Sequence, residues 1–354
     1  MNKHDINILG SHFTFDGIPL LNLNSLQLEI KKKVQIDIIK GVYQLEFVSC
    51  EICDSMEFQV LSEKDRFGFK LRFVICRKCG LIQLNPRLTE KSSALFYDQD
   101  YRKLYHGKDN EIEYERYFNN GVRNGRIIFN YLHKNNCFEK PLKDTLVLEV
   151  GCASGGILHY FRSKGCMVKG IDLGSDYIDY GRNKYNLDLH IGQINDIQTD
   201  MKPDIIIYRQ VLEHIGNLNR ELVQIRKHIT NKGILYIEVP GLKICLYDIN
   251  RKMNFLRALH IAHVYYFTKT SLNNLMKKNG FQMIKGDHRV RSLFKKAENP
   301  SDNILDDYQN SLKFLRRLEL YRKMGLGHMV IKFIKVISYF KLYGIVKKLY
   351  KFLQ

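Results

Sequence analysis

Apolar and polar positions along the middle of the chain alternate between short unbroken apolar runs and helical spacing. Leu146-Val147-Leu148 is such a run, the pattern of a parallel strand buried on both faces. Small residues from Gly151 to Gly156 break it. Ile157 to Lys164 then has helical spacing, Gly165 ends the helix, and Met167 to Ile171 is a second strand closing on Asp172. The alternation continues with a helix from Ser175 to Asn183 and strands at Leu187 to Ile191 and Asp204 to Tyr208. A helix from Asn219 to Lys227, a strand from Gly233 to Pro240 and a helix from Ser271 to Asn279 follow, the last stopped by Gly280. Alternating buried strands and helices predict an α/β fold, doubly wound and Rossmann-like, over about residues 110–290.

The flanks read differently. In residues 1–49, His12-Phe13-Thr14-Phe15, a turn at Asp16-Gly17 and alternation through Leu26, Leu28, Ile30 and Val34, Ile36, Ile38 predict a small β-rich segment. Residues 50–109 form a cysteine-bearing module and its connection to the core. Glu111 to Asn135 is helical in pattern and Pro141 stops it. Residues 291–354 read as a basic helical tail. Met329, Val330, Phe333, Ile334, Ile337 and Phe340 share one helical face, with Lys332, Lys335 and Lys341 elsewhere on it. Such a helix suits peripheral contact with a membrane, or packing on protein, including a second copy in a homo-oligomer.

Charge narrows the partners. The 354 residues carry a formal charge of +19, but 11 Lys/Arg against Glu319 alone between Lys313 and Lys351 place about +10 of it at the end of the chain. An anionic partner is expected, whether nucleic acid, membrane or a phosphorylated substrate, and the modest charge of the core argues against nucleic acid there. No apolar run reaches the ~18 residues of a membrane span, so a cytoplasmic protein is expected, with the tail able to reach the inner face of a membrane. The eight cysteines are then thiols or metal ligands. Cys50-Glu51-Ile52-Cys53 and Cys76-Arg77-Lys78-Cys79-Gly80, separated by 22 residues, suit a closed four-thiolate zinc site with a structural role. His260-Ile261-Ala262-His263 has neither the H-E-x-x-H pattern nor a neighbouring third ligand, which argues against a metal there.

Glu149-Val150-Gly151-Cys152-Ala153-Ser154-Gly155-Gly156 is the turn around which the rest is organised. It lacks the G-x-G-x-x-G that seats a pyrophosphate, while Asp172, at the tip of the next strand, can accept from both hydroxyls of a ribose. The turn resembles motif I of the class I S-adenosylmethionine-dependent methyltransferases. That resemblance implies that Glu149, Gly151 and Gly155 surround the methionine part of the cofactor and Asp172 holds its ribose. Gln193 and the Ile194 N–H then serve the adenine, with Asp196 as a rival for the role of Gln193. Gln210-Val211-Leu212-Glu213-His214-Ile215 resembles the family segment beside the transferred methyl.

Upstream, C-x-x-C-G-L-x-x-x-N-P-R at Cys76 to Arg87, then F-Y-x-x-x-Y at Phe96 to Tyr101, resembles the zinc-ribbon leader of bacterial methyltransferases, many of sugar and glycan pathways. The likeness runs from residue 50 to about 285. It implies a sugar-nucleotide or glycan acceptor and makes His263 the residue that removes the acceptor proton, with His214 and Tyr265 behind it. Tyr97 and Tyr101 are either pocket-lining or core aromatics. Sugar C-methyltransferases carry H-E-H where this chain has Ala262-His263, which points to a hydroxyl or amine acceptor. Two other readings remain open. One is an RNA methyltransferase, although Tyr208-Arg209-Gln210-Val211 stands where N/D-P-P-Y would be. The other is a non-catalytic domain that binds S-adenosylmethionine and docks partners.

Overall fold

The computed structural model describes residues 7–107, 114–197, 201–248, 250–288, 290–301 and 303–326. Its first long element is a helix, α1 (Ser25–Ile39), where alternating apolar positions had suggested strands. The apolar positions step by two through Leu26, Leu28, Ile30 and through Val34, Ile36, Ile38, but Leu26, Ile30, Val34 and Ile38 among them are four apart, which places those four on one helical face. Ile30 and Val34 are buried there and Leu28 and Ile36 are exposed. Asn24 decides the outcome, because its side chain and that of Gln27 form a reciprocal capping box at the helix start.

Five strands follow: β1 (Leu45–Glu46), β2 (Phe58–Lys64), β3 (Lys70–Cys76), β4 (Ile82–Leu84) and β5 (Arg87–Leu88). The strands β2, β3 and β4 form an antiparallel meander, and β1 pairs with β5. Helices α2 (Glu90–Gln99) and α3 (Tyr101–His106) lead to α4 (Tyr114–Lys134), which packs along α5 (Gly156–Ser163).

The central sheet is built from β6 (Leu146–Val150), β7 (Met167–Asp172), β8 (Leu189–Ile191), β9 (Ile205–Arg209) and β10 (Ile234–Glu238), all parallel. Helices α6 (Ser175–Tyr185) and α7 (Leu218–His228) make crossovers. After β10 come α8 (Ile244–Tyr247), β11 (Tyr265–Tyr266), α9 (Lys269–Lys278), β12 (Phe281–Gly286) and β13 (Arg291–Lys296). The seven-stranded order is β12-β13-β10-β9-β6-β7-β8, with β13 antiparallel between β10 and β12. The expected doubly wound fold is present, but its sheet extends past residue 290. The last described helix, α10 (Tyr308–Lys323), buries Leu312, Leu315 and Leu318 against the N-terminal layer. The amphipathic stretch from Met329 lies outside the described residues.

The cysteine module and the central sheet share one core. Cys50, Cys76, Cys79 and Leu81 pack in the same apolar cluster as Leu148, Ile206, Tyr208 and Leu235. The strand β11 is the fourth strand of the cysteine module's sheet, pairing Tyr265 with Gln83 and Tyr266 with Ile82. Residues from beyond β10 are thus bound by hydrogen bonds to a hairpin nearly two hundred positions earlier.

Candidate active site

Sheet order reverses between β6 and β9, the switch point at which open α/β sheets bind ligands beyond the C-terminal ends of their strands. A cavity of about 510 Å³ opens there, lined by Tyr117, Asn120, Glu149, Gly151, Ser154 and Arg209 among others. Gly151 has a φ of +72°, and a Cβ on it would lie 2.3 Å from Val211 Cγ2, so only glycine suits the turn. Asp172 organises the turn from the neighbouring strand. Its Oδ2 accepts from the Ala153 N–H and its Oδ1 from the Gly174 N–H, both at 2.8 Å. Gln193 is exposed at the end of β8, beside Gly192, whose N–H donates to the Asp172 carbonyl at 3.0 Å; Ile194 is buried next to it. Asp196, the rival for the adenine role, is occupied in accepting the Gln193 N–H at 2.8 Å. Gln210 has a φ of +56° and turns its side-chain amide to the Glu238 carbonyl, and its neighbour Arg209 lines the cavity instead.

Glu149 is buried beneath the cavity and its Oε2 has no hydrogen-bond partner. Burial holds its carboxyl well above the usual range, Arg209 opposing this and Asp172 adding to it. Its unpartnered oxygen leaves room for a hydrogen bond to a ligand in the cavity.

A second cluster lies between the cysteine module and the central sheet. The rings of His260 and His263 are 3.7 Å apart, and those of His263 and His214 are 4.6 Å apart, edge to face. Burial lowers all three pKa values, that of His214 to about 4, so the imidazoles are neutral at pH 7. His214 Nδ1 donates to the Ala262 carbonyl at 2.9 Å, which leaves its Nε2 unprotonated. The Tyr97 hydroxyl is 2.5 Å from the same Nδ1, and the Tyr105 hydroxyl is 2.6 Å from His260 Nε2. Tyr97, Tyr101 and Tyr105 pack along this wall as tilted rings, with centroids 4.7 and 4.8 Å apart. Glu213 faces His214 Nε2 and His263 Nε2, each 3.9 Å from its Oε1, and neither of its carboxyl oxygens has a hydrogen-bond partner. Burial raises its pKa to about 8. The donor atoms of Glu213, His214 and His263 lie within 4.8 Å of one another. Within His260-Ile261-Ala262-His263 itself, His260 is turned away to Tyr105.

Tyr265, expected behind His263, points elsewhere. Its hydroxyl donates to the Gly216 carbonyl at 2.6 Å and accepts from Arg87 Nη1 at 2.5 Å. Successive strand residues face opposite sides, and it is Tyr266 that turns toward the histidines, its hydroxyl accepting the His260 N–H at 3.1 Å. The four cysteine sulfurs converge as the spacing implied. Cys50 and Cys79 are 3.4 Å apart, as are Cys53 and Cys76, and all four lie within 4.8 Å of one another.

A family model described as a methyltransferase domain matches residues 128–285. The ubiquinone biosynthesis O-methyltransferase of Pelagibacter ubique (strain HTCC1062) is 26% identical over 179 residues, 48% of this chain and 70% of that protein. The (S)-tetrahydroprotoberberine N-methyltransferase of Eschscholzia californica is 25% identical over 115 residues, 30% of this chain and 33% of that one. Of the Rickettsia akari (strain Hartford) ubiquinone biosynthesis O-methyltransferase the chain spans 42%. Among solved structures, the magnesium protoporphyrin IX methyltransferase of Synechocystis PCC 6803 with bound SAH superposes with a TM-score of 0.41 at 14% identity, over 58% of this chain and 98% of that one.

The chain carries a methyltransferase domain. Its enzyme class is S-adenosylmethionine-dependent methyl transfer. The residues of the cavity fit this cofactor on their own chemistry, since the buried Glu149 Oε2 lacks a hydrogen-bond partner that a polar group of the cofactor, such as its ammonium, would supply. Residues of the site that sequence reasoning missed are Tyr117, Asn120 and Asn124 on α4, Arg209, and Glu213. The α4 residues left a signal: the polar and small Asn120, Gly121 and Asn124 form one helical stripe, and Tyr117, which reads as an apolar position, continues it.

Asp172→Ala is expected to leave the Ala153 and Gly174 amides without a partner, at about 1–3 kcal/mol each if they stay dry. Calorimetric titration with S-adenosylhomocysteine should give an affinity at least about tenfold weaker, each tenfold being about 1.4 kcal/mol. An unchanged affinity would remove Asp172 from the cofactor site.

Glu213 should also make stability depend on pH. Its folded pKa, about 8, is raised above the ordinary glutamate value of 4.5. Its contribution is therefore fully present below about pH 4.5 and is lost as pH rises through about 8. The histidines act oppositely. The folded pKa of His214 is depressed to about 4, so the stability it contributes is present above 6.5 and lost as pH falls through about 4. Glu213→Gln should flatten the fall in melting temperature between pH 6 and 9 and leave the acid limb unchanged. A wild-type profile level through pH 8 would show that Glu213 titrates normally.

Proposed function

We propose that this methyltransferase methylates a hydroxyl of a sugar carried on a phosphate or diphosphate, linked to a nucleotide or a lipid. The observation that carries proton removal from a hydroxyl is the neutral, buried His263, placed between His214 and His260 and facing the Glu213 carboxyl. The sugar rests on the resemblance of Cys76 to Arg87 and Phe96 to Tyr101 to the leader of glycan-pathway methyltransferases. When bound, S-adenosylmethionine supplies an activated methyl on a sulfonium, a leaving group that needs no acid. The chain's own task is then to align the acceptor and take one proton. His263 accepts the hydroxyl proton as the new O–C bond forms, and the imidazolium lies 3.9 Å from Glu213. His214, fixed by the Ala262 carbonyl, keeps the ring of His263 in place from the edge. Glu149, Gly151, Gly155 and Asp172 hold the cofactor.

The four cysteines are proposed to hold a structural zinc ion. Sulfurs about 2.3 Å from a tetrahedral metal stand ~3.8 Å apart, which this cluster meets with small adjustment. With no open position, such a site acts on folding rather than chemistry. It anchors the hairpin on which β11 and the histidine segment are strung.

A second reading, a phenolic hydroxyl of a quinone precursor, is supported by the likeness to ubiquinone biosynthesis O-methyltransferases over 48% of the chain. Both use the same base and differ in acceptor. Incubation with S-adenosylmethionine labelled on its methyl, together with separated nucleotide-sugar, lipid and RNA fractions, decides between them. Label in nucleotide-sugars or glycolipids that is lost in His263→Ala supports the first reading. Label in a quinone lipid would replace it with the second, and label in RNA would overturn both.

A further inference from the structure

Three arginines meet beside the histidines, and methyl transfer by itself does not call for them. Arg66 Nη1 donates to the Arg257 carbonyl at 3.3 Å, and Arg251 Nη1 donates to the same oxygen at 2.6 Å. Among the described residues, the Arg257 guanidinium donates to one carbonyl, that of Asn250, at 3.5 Å. Two cationic forks therefore converge on one neutral acceptor, with a third cation next to them. Arg257 registers the crowding: its pKa is lowered by burial and then by Arg66 and Arg251.

Negative charge at the cluster is scarce among the described residues. Asp248 lies 3.6 Å from Arg251 Nε. Asp65 is buried, its pKa is raised to about 7, and its oxygens accept the N–H groups of Phe67, Phe69 and Ile261. Arg66 Nε is buried with no hydrogen-bond partner. Like charges gathered in a partly desolvated place are unfavourable unless an anion joins them, and guanidinium forks match phosphate oxygens. With Asp248 offsetting one of three charges, about two remain, which suits a phosphate or diphosphate better than a single carboxylate.

The cluster also lies at a useful place. The Arg66 guanidinium sits over the Tyr105 ring, 4.6 Å from its centroid, and the Tyr105 hydroxyl is 2.6 Å from His260 Nε2. The His260 ring packs, tilted, against that of His263 with centroids 3.7 Å apart. One tyrosine and one histidine thus separate the cations from the proposed base.

We infer that Arg66, Arg251 and Arg257 form an anion subsite that holds a phosphate or diphosphate group of the acceptor and so directs its hydroxyl toward His263. That the anion belongs to the acceptor rests on the reading given under Proposed function. The subsite itself does not.

The test is calorimetric titration of the full chain, saturated with S-adenosylhomocysteine, with inorganic pyrophosphate. Wild type should bind. Arg66→Gln and Arg251→Gln should each bind at least tenfold more weakly, Arg66→Lys should retain part of the affinity, and Arg316→Gln on the exposed side of α10 should match wild type. S-adenosylhomocysteine affinity, equal in all four variants, verifies folding. Absence of pyrophosphate binding, or binding equal in the glutamine variants, overturns the subsite. Uridine diphosphate and farnesyl diphosphate, titrated separately, tell a nucleotide from a lipid carrier, and arginine-dependent binding of either supports the subsite. Arginine-dependent binding without methylation of any phosphate-linked sugar would sustain the subsite and sink the sugar reading.

Discussion

Replacing His263 with alanine is expected to lower kcat by about 10²–10⁴-fold, the range contributed by a positioned general base. S-adenosylhomocysteine affinity should stay within about twofold of wild type, because His263 lies outside the residues lining the cofactor cavity. The ring packs between two imidazoles, so the melting temperature needs checking, and His263→Gln, which fills similar volume without basicity, should be as inactive as the alanine variant. The pH profile is a second readout. Since the pKa of His263 is held well below 6.5 by burial, the wild-type rate should not fall as pH drops from 7.5 to 6.5, as it would for an ordinary histidine base. A His263→Gln enzyme with near-normal kcat would assign proton removal to another group, and His214 would be the next to test.

Disrupting the cysteine cluster should have the largest effect on the folded state. The double variant Cys76→Ser, Cys79→Ser is expected to lose one bound zinc per chain by metal analysis. It should melt roughly 10 °C or more below wild type, as structural zinc contributes its binding free energy directly to folding. Activity should vanish as well, for a reason particular to this fold. The hairpin that ends in Cys76 is hydrogen-bonded through β4 to β11, and its tip holds the histidine segment through the Ile261 N–H to Asp65 and the Arg66 N–H to the Leu259 carbonyl at 3.0 Å. Loosening the knuckles therefore loosens the base. Gly80, which follows Cys79, has a φ of +77°, and a Cβ there would lie 2.5 Å from the Asp307 backbone, so the second knuckle is also clamped by the approach to α10. A metal-free double variant of unchanged stability and rate would show that the sulfurs merely pack.

Much of this protein is written locally. The strands β6, β9 and β10 were legible because each holds a run of three or more apolar or aromatic residues, and β7 and β8 because they follow helices ended by Gly165 and Asn186. The cofactor turn was legible because Gly151, Gly155 and Asp172 are residues whose chemistry is tied to short spacing. The four cysteines declared themselves through two knuckles of fixed step. The helix α1 was misread because Leu26, Ile30, Val34 and Ile38 satisfy a period of two and a spacing of four together, and the arbiter, the Asn24–Gln27 cap, is a matter of two polar side chains.

The sequence by itself determined a doubly wound domain with a methyl-donor turn, a four-cysteine module before it, and a histidine segment after the last parallel strand. Tertiary structure alone decided how these parts meet. It made β11 a strand of the cysteine module's sheet, turned Tyr266 rather than Tyr265 toward the histidines, buried Glu213 without a partner between them, and drew Arg66 to Arg251 and Arg257. The reason is physical. Periodicity along a chain reports that a face is covered, not which distant element covers it, and the contacts that build this site, such as that of the Ile261 N–H with Asp65, join residues 196 positions apart.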